Sequence, residues 1–157
     1  MPPDLLQLSS EAHYKAYFEA KYCSGPIMTF DGIPVFFSKS KFGHAFFEST
    51  RRDGVKDLFS TARAERMNWI EYALQEVTAT RHQGWNSQER KYDPTRQVTV
   101  VVGDFVVIIR MIMKRDGSLK AEFVTCYQAD NSIGKIRMSP LWDLNRCRSE
   151  LSKKKGR

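Results

Sequence analysis

The stretch VTVVVGDFVVIIRMIMKRDGSLKAEFVTCYQ, residues 98–128, decides the fold class. Runs at 98–102, 105–113 and 119–127 are rich in β-branched and aromatic residues, which suit a half-buried pleated surface. Gly103-Asp104 and Asp116-Gly117 punctuate them, and such pairs adopt the turn conformations that other residues resist. The reading is a meander of antiparallel strands, with a further short strand expected over 133–138. Alternation along 119–127 places Ala121, Phe123, Thr125 and Tyr127 on one face, with Val124 and Cys126 on the other. Thr125 and Tyr127 then form a pair of hydroxyls at the end of an apolar row, able to hold a phosphate or simply to be solvated. Arg110 interrupts Ile108 and Ile112 in a strand otherwise apolar on both faces, so it needs an ion partner, a ligand or an edge position.

Upstream of this region the period changes. Ser9 and Ser10 precede 11–22, where Tyr14, Tyr17 and Phe18 recur at helical spacing, so a capped amphipathic helix is expected. Residues 33–38 read as a short strand and 43–49 as a short helix. A longer helix is expected from about 56 or 60 to 77, with Phe59, Ala62, Trp69, Ile70, Ala73, Leu74 and Val77 on one stripe. Arg66 falls on that stripe and Arg63 lies one turn away. An inward guanidinium needs an acceptor such as a ligand phosphate; a local pair with Glu65 or Glu71, or an outward-bent stem, is the plainer alternative. From 81 to 97 the periodicity stops, and Trp85, Arg90, Lys91, Tyr92 and Arg96 mix cations with aromatics in what reads as a long functional loop.

Helices followed by strands give an α+β domain, with N-terminal helices packed on a C-terminal antiparallel sheet of about four strands. At 157 residues, 41% hydrophobic and 27% charged, the chain has the make-up of one globular domain and not of a disordered segment. The expected division is a single domain over 1–150 and a basic tail over 151–157. Lys and Arg exceed Asp and Glu by 25 to 18, and a net charge of +7 favours encounter with polyphosphate. Part of that excess is the run Lys153, Lys154, Lys155 and Arg157, which a solvated tail would also explain.

Cys23, Cys126 and Cys147 make no CxxC pair and no even disulfide set, so neither a zinc site nor a disulfide scaffold is expected. The start of the chain does not read as a secretory leader and no apolar run is long enough to span a bilayer, so a cytoplasmic protein without a membrane is expected. No P-loop, dinucleotide fingerprint, HExxH or GxSxG is present, and acidic residues do not cluster as divalent-metal nucleases require. No cofactor or metal is expected. His44 follows the Lys-rich turn at 38–43; an imidazole there can serve as general acid or base, or merely edge the cluster of Phe42, Phe46 and Phe47.

Four segments, VFFSKSKFGHAFFES (35–49), FSTARAERMNWIEYAL (59–74), GWNSQERKYDPTRQVTVVVGDFVVII (84–109) and KAEFVTCYQADNSIGKIRMSPLW (120–142), carry a resemblance. Together they look like the phage and prokaryotic branch of the barnase, EndoU, colicin and RelE-like nucleases, the BECR fold. The resemblance implies a metal-independent endoribonuclease that uses the 2′-hydroxyl of RNA as nucleophile, of the toxin or phage-effector kind, with an antitoxin or immunity protein as partner. It also implies a catalytic set of His44, Arg66, Thr125 and Tyr127, in which His44 transfers the proton, Arg66 with Arg63 holds the scissile phosphate and Thr125 and Tyr127 complete the site, with Lys41 neutralising developing charge. Trp85, Arg90, Lys91, Arg96 and Arg110 complete the expected RNA-contacting set. Since His44 is the only histidine at a matching position, Tyr127 or a lysine would supply the second proton transfer. A non-catalytic module that stacks bases on Trp85 and Tyr92, or a protein-interaction domain, is the alternative reading.

Overall fold

The computed structural model describes residues 2–155, the side chains at 96, 154 and 155 excepted. The three expected runs form β6 (Lys91–Val102), β7 (Phe105–Met113) and β8 (Leu119–Gln128), each antiparallel to the next, and β6 also pairs antiparallel with an unexpected strand, β5 (Thr80–Asn86). The β6–β7 turn is Gly103-Asp104, between the paired Val102 and Phe105, and Gly103 takes φ 59, a left-handed conformation that favours glycine.

The sheet is larger than four strands and is mixed. Beyond β8 lie β2 (Pro34–Phe36), parallel to it, and β1 (Ile27–Met28), antiparallel to β2, in the order β1-β2-β8-β7-β6-β5. Strands of two and three residues carry too little alternation to declare a partner. β3 (Phe47–Glu48) and β4 (Leu58–Phe59) make a separate two-stranded ribbon.

The inner face of the sheet is closed by α1 (Glu11–Lys21), α2 (Phe42–Ala45), α4 (Met67–Gln75) and α6 (Leu144–Lys155). Ser10 caps α1 by accepting from the His13 N–H, and Tyr14 and Phe18 carry its buried stripe. Phe18, Tyr22, Phe37, Phe42, Phe46 and Phe123 form a continuous aromatic core. α6 comes from the carboxyl end, so the inner layer is not purely N-terminal. Cys147 is buried there and Leu151 packs on the core, so 151–155 continue a docked helix where a free tail was expected; 156–157 lie outside the described residues.

Three further readings are corrected. Residues 81–97, read as a loop, belong to the β5–β6 hairpin; its alternation is interrupted where the partner of Gln83 is Val98 but that of Gly84 is Asp93. Gly84 is required at this junction because a Cβ there would stand 2.4 Å from the Gln97 Cβ. The single long helix is two, α3 (Thr61–Ala64) and α4, broken at Arg66. There the Arg66 Nη1 donates to the Ala62 carbonyl at 2.7 Å, the acceptor a continuous helix would offer to the Arg66 N–H, which bonds to Arg63 instead. Residues 133–138 form a helix, α5 (Ile133–Arg137), whose Ile133 and Ile136 cover Val101, Val106 and Ala129 on the outer face.

The free edge of β5 is capped by the segment after α5. Pro140 accepts from the Gln83 N–H, Trp142 donates its N–H to Arg81, and Leu141 bridges His82. Arg81 lies over the rings of Phe30 and Trp142, 4.7 and 4.9 Å from their centroids, and pairs with Asp31 at 2.8 Å. That pair ties the β1–β2 turn to β5, linking the two edges of the sheet. Among the described residues no helix is long and apolar enough to cross a membrane.

Candidate active site

A polar cleft of about 210 Å³ opens where α3 and the Arg66 break meet the end of β8. Arg63, Arg66, Glu48, Ser60, Tyr127 and Asp130 are among the residues that line it. Ser60 caps α3 by accepting from the Arg63 N–H, which fixes the turn that delivers Arg63 to the cleft. The Arg63 Nη1 donates to the Ala45 carbonyl at 3.4 Å and its Nε stands 4.0 Å from Glu48, so the guanidinium bridges α2 and β3.

Arg66 is not in the core. Its guanidinium lies over the Trp69 ring, 5.2 Å from the centroid, and its Nε–H is buried with no hydrogen-bond acceptor among the described residues. Trp69 is itself pinned, donating its indole N–H to Pro3 at 2.8 Å and packing edge-on to Phe105. The Arg66 Nε–H thus lacks the partner that a buried donor ordinarily has.

His44 is exposed, one residue before the carbonyl that holds Arg63, while Phe42 and Ala45 of the same short helix turn into the core. Desolvation, then the charges of Lys56, Lys41 and Arg63, hold its pKa below the usual 6.5. Lys41 is half-buried at the start of α2. Burial raises the Tyr127 phenol above its usual 10.0 and Arg63 pulls partly against it. Burial also pushes the Cys126 thiol up to about 12, so it lines the cleft as a neutral group.

Thr125 does not join this cleft. β8 carries one extra residue, Val124, between the pairs Ile108–Thr125 and Ile109–Phe123. The bulge overturns the simple alternation: Phe123 and Cys126 share the inner core, while Thr125 and Tyr127 pair with Ile108 and Val106 of the outer face. Tyr127 still reaches the cleft because it stands near the end of β8, and Thr125, two residues earlier, does not line it.

The other expected contacts lie elsewhere. Trp85 pairs with Tyr92 across the hairpin, Lys91 pairs with Glu89 at 3.2 Å, and Arg90 takes φ 51 in the turn. Arg110 pairs with Glu122 at 2.7 Å. The Arg96 side chain lies outside the described residues. His13 bonds Ser9 and Ser10, and His82 is buried between Ser139 and Thr80, so neither borders the cleft. Glu48 and Asp130 of the cleft, and Lys56, whose charge acts on His44, were missed by sequence reasoning; no motif marks them, and only the fold places them. Among the described residues no three His, Cys, Asp or Glu side chains gather as a metal site.

Compared with known proteins, the chain matches no family model, no curated protein and no solved structure.

Proposed function

We propose that this chain is a metal-independent endoribonuclease that cleaves RNA by attack of a 2′-hydroxyl on the adjacent phosphate. One observation carries the reading: Arg63 sits on the carbonyl next to His44 while sharing a cleft with Arg66 and Tyr127. A phosphate between the two guanidiniums would receive charge-assisted hydrogen bonds from Arg63 and Arg66. The lowered pKa of His44 keeps its imidazole neutral at neutral pH, so it accepts the 2′-hydroxyl proton. The raised pKa of Tyr127 keeps the phenol protonated, so it donates to the departing 5′-oxygen. The bond from O2′ to phosphorus forms, the bond to O5′ breaks, and a 2′,3′-cyclic phosphate and a 5′-hydroxyl result. Lys41 offsets the charge that develops on the phosphate. A toxin or phage-effector role, with an antitoxin or immunity partner in the cytoplasm, goes with this reading.

Incubation with single-stranded, transfer and ribosomal RNA in chelator tests it. His44→Ala is expected to lower cleavage by about 10²–10⁴-fold, the usual worth of a general base. The native rate should fall along an acid limb below pH 6.5, where the imidazole becomes protonated. Equal cleavage by native protein and variant, or none by either on all three RNAs, sinks the proposal.

A further inference from the structure

The outer face of the sheet carries a second concavity that the chemistry above does not use. α5 covers only part of this face, and between it and the β5–β6 hairpin runs a groove of about 370 Å³. Trp85, Tyr92, Ile108, Tyr127, Lys135 and Ile136 line it. Trp85 is 53% exposed, with its ring edge-to-face on Tyr92 at 5.1 Å, so it is braced without being covered. The packing of Gln97 over Gly84 keeps the floor low, and the Gln97 amide offers both a donor and an acceptor there. Lys135 stands on the wall, and an adjoining hollow holds Arg110, itself paired with Glu122. An aromatic floor beside a cation is the chemistry that stacks a base and holds its phosphate.

Tyr127 borders both this groove and the cleft that holds Arg63 and Arg66. We infer that the groove seats an unpaired base adjoining the scissile phosphate, so that the substrate is single-stranded RNA; this rests on the ribonuclease reading. In an A-form duplex the bases are stacked and paired inside the helix, and none can turn out onto Trp85 without being unpaired first.

The test uses the full chain and a short 2′-O-methyl oligonucleotide, which lacks the attacking hydroxyl and so reports binding without cleavage. Anisotropy at one fixed salt concentration should give a single strand bound at least about tenfold tighter than its duplex, with quenching of tryptophan fluorescence. Trp85→Ala should weaken single-strand binding about tenfold, and Trp85→Phe should recover most of the loss. Equal affinity for strand and duplex overturns the inference. So does unchanged binding by Trp85→Ala, which is also the result if the groove takes a protein or a second copy of the chain. Cleavage of ordinary RNA separates the two proposals. His44-dependent cleavage with binding indifferent to Trp85 sinks only the groove, whereas Trp85-dependent binding with no cleavage upholds the groove and sinks the chemistry.

Discussion

On the inner face of the sheet, Phe18 lies fully buried among the rings of Tyr22, Phe37, Phe42, Phe46 and Phe123. On the outer face, Trp85 has the ring of Tyr92 against it and leaves half its surface to solvent. The same strands present both faces, and what differs is the cover. Helices from both ends of the chain close the inner face, while one short helix crosses the outer face and leaves a groove beside it. Apolar side chains removed from water on one side supply the stability, which leaves those on the other free to meet a ligand.

Mutations that treat the two faces differently test this contrast. The largest effect is expected from Phe18→Ala, which opens a cavity among five rings and should cost about 4 kcal/mol in denaturant unfolding. A loss of under about 1 kcal/mol would mean that the inner face is not a closed core.

Next is Asp31→Asn, which breaks the ion pair that ties the β1–β2 turn to β5. Burial alone would raise the Asp31 carboxyl, but hydrogen bonds from Thr29 and Arg81, with the Arg81 charge, outweigh it and hold the pKa below 3.8. A depressed folded pKa stabilises above the unfolded value and loses that contribution as pH falls through the folded one. The substitution should therefore cost about 2 kcal/mol at neutral pH, between exposed-pair and buried-pair values. The gap between native and variant should close in strong acid, and a gap independent of pH would remove the ion pair as its cause.

The smallest effect on folding is expected from Trp85→Ala, under about 1 kcal/mol, because only one aromatic contact is lost. Should unfolding show a cost comparable to Phe18→Ala, the groove is part of the core and the contrast between the faces fails.

Much of this fold is legible in the chain where local pattern and final contact coincide. The helix expected at 11–22 and the strands expected at 98–102, 105–113 and 119–127 form because helical spacing in the first, and β-branched runs between turn pairs in the others, are local signals. The pattern misleads where a neighbour distant in sequence intervenes. The hairpin at 80–102 hides behind the pairing jump at Gly84, and the helix over 60–77 breaks where the Arg66 side chain takes its own acceptor. Ile133 and Ile136 suit a strand as well as one turn of helix, and the outer face of the sheet decides for the helix.

Of the candidate site, His44, Arg63, Arg66 and Tyr127 are visible in the sequence as unusual residues in apolar surroundings, whereas Thr125 shares a face with Tyr127 yet stands two residues short of the cleft. The Val124 bulge is set by pairing with β7, and nothing within 119–128 announces it.

By itself the sequence determined an α+β chain with a basic surface, because composition, turn residues and periodicity are local quantities that each segment carries with it. Only the tertiary structure decided that β2 runs parallel to β8, that Arg63 stands beside both His44 and Tyr127, and that one face of the sheet stays open. Those are contacts between segments far apart along the chain, and their geometry is fixed by packing that no single segment contains.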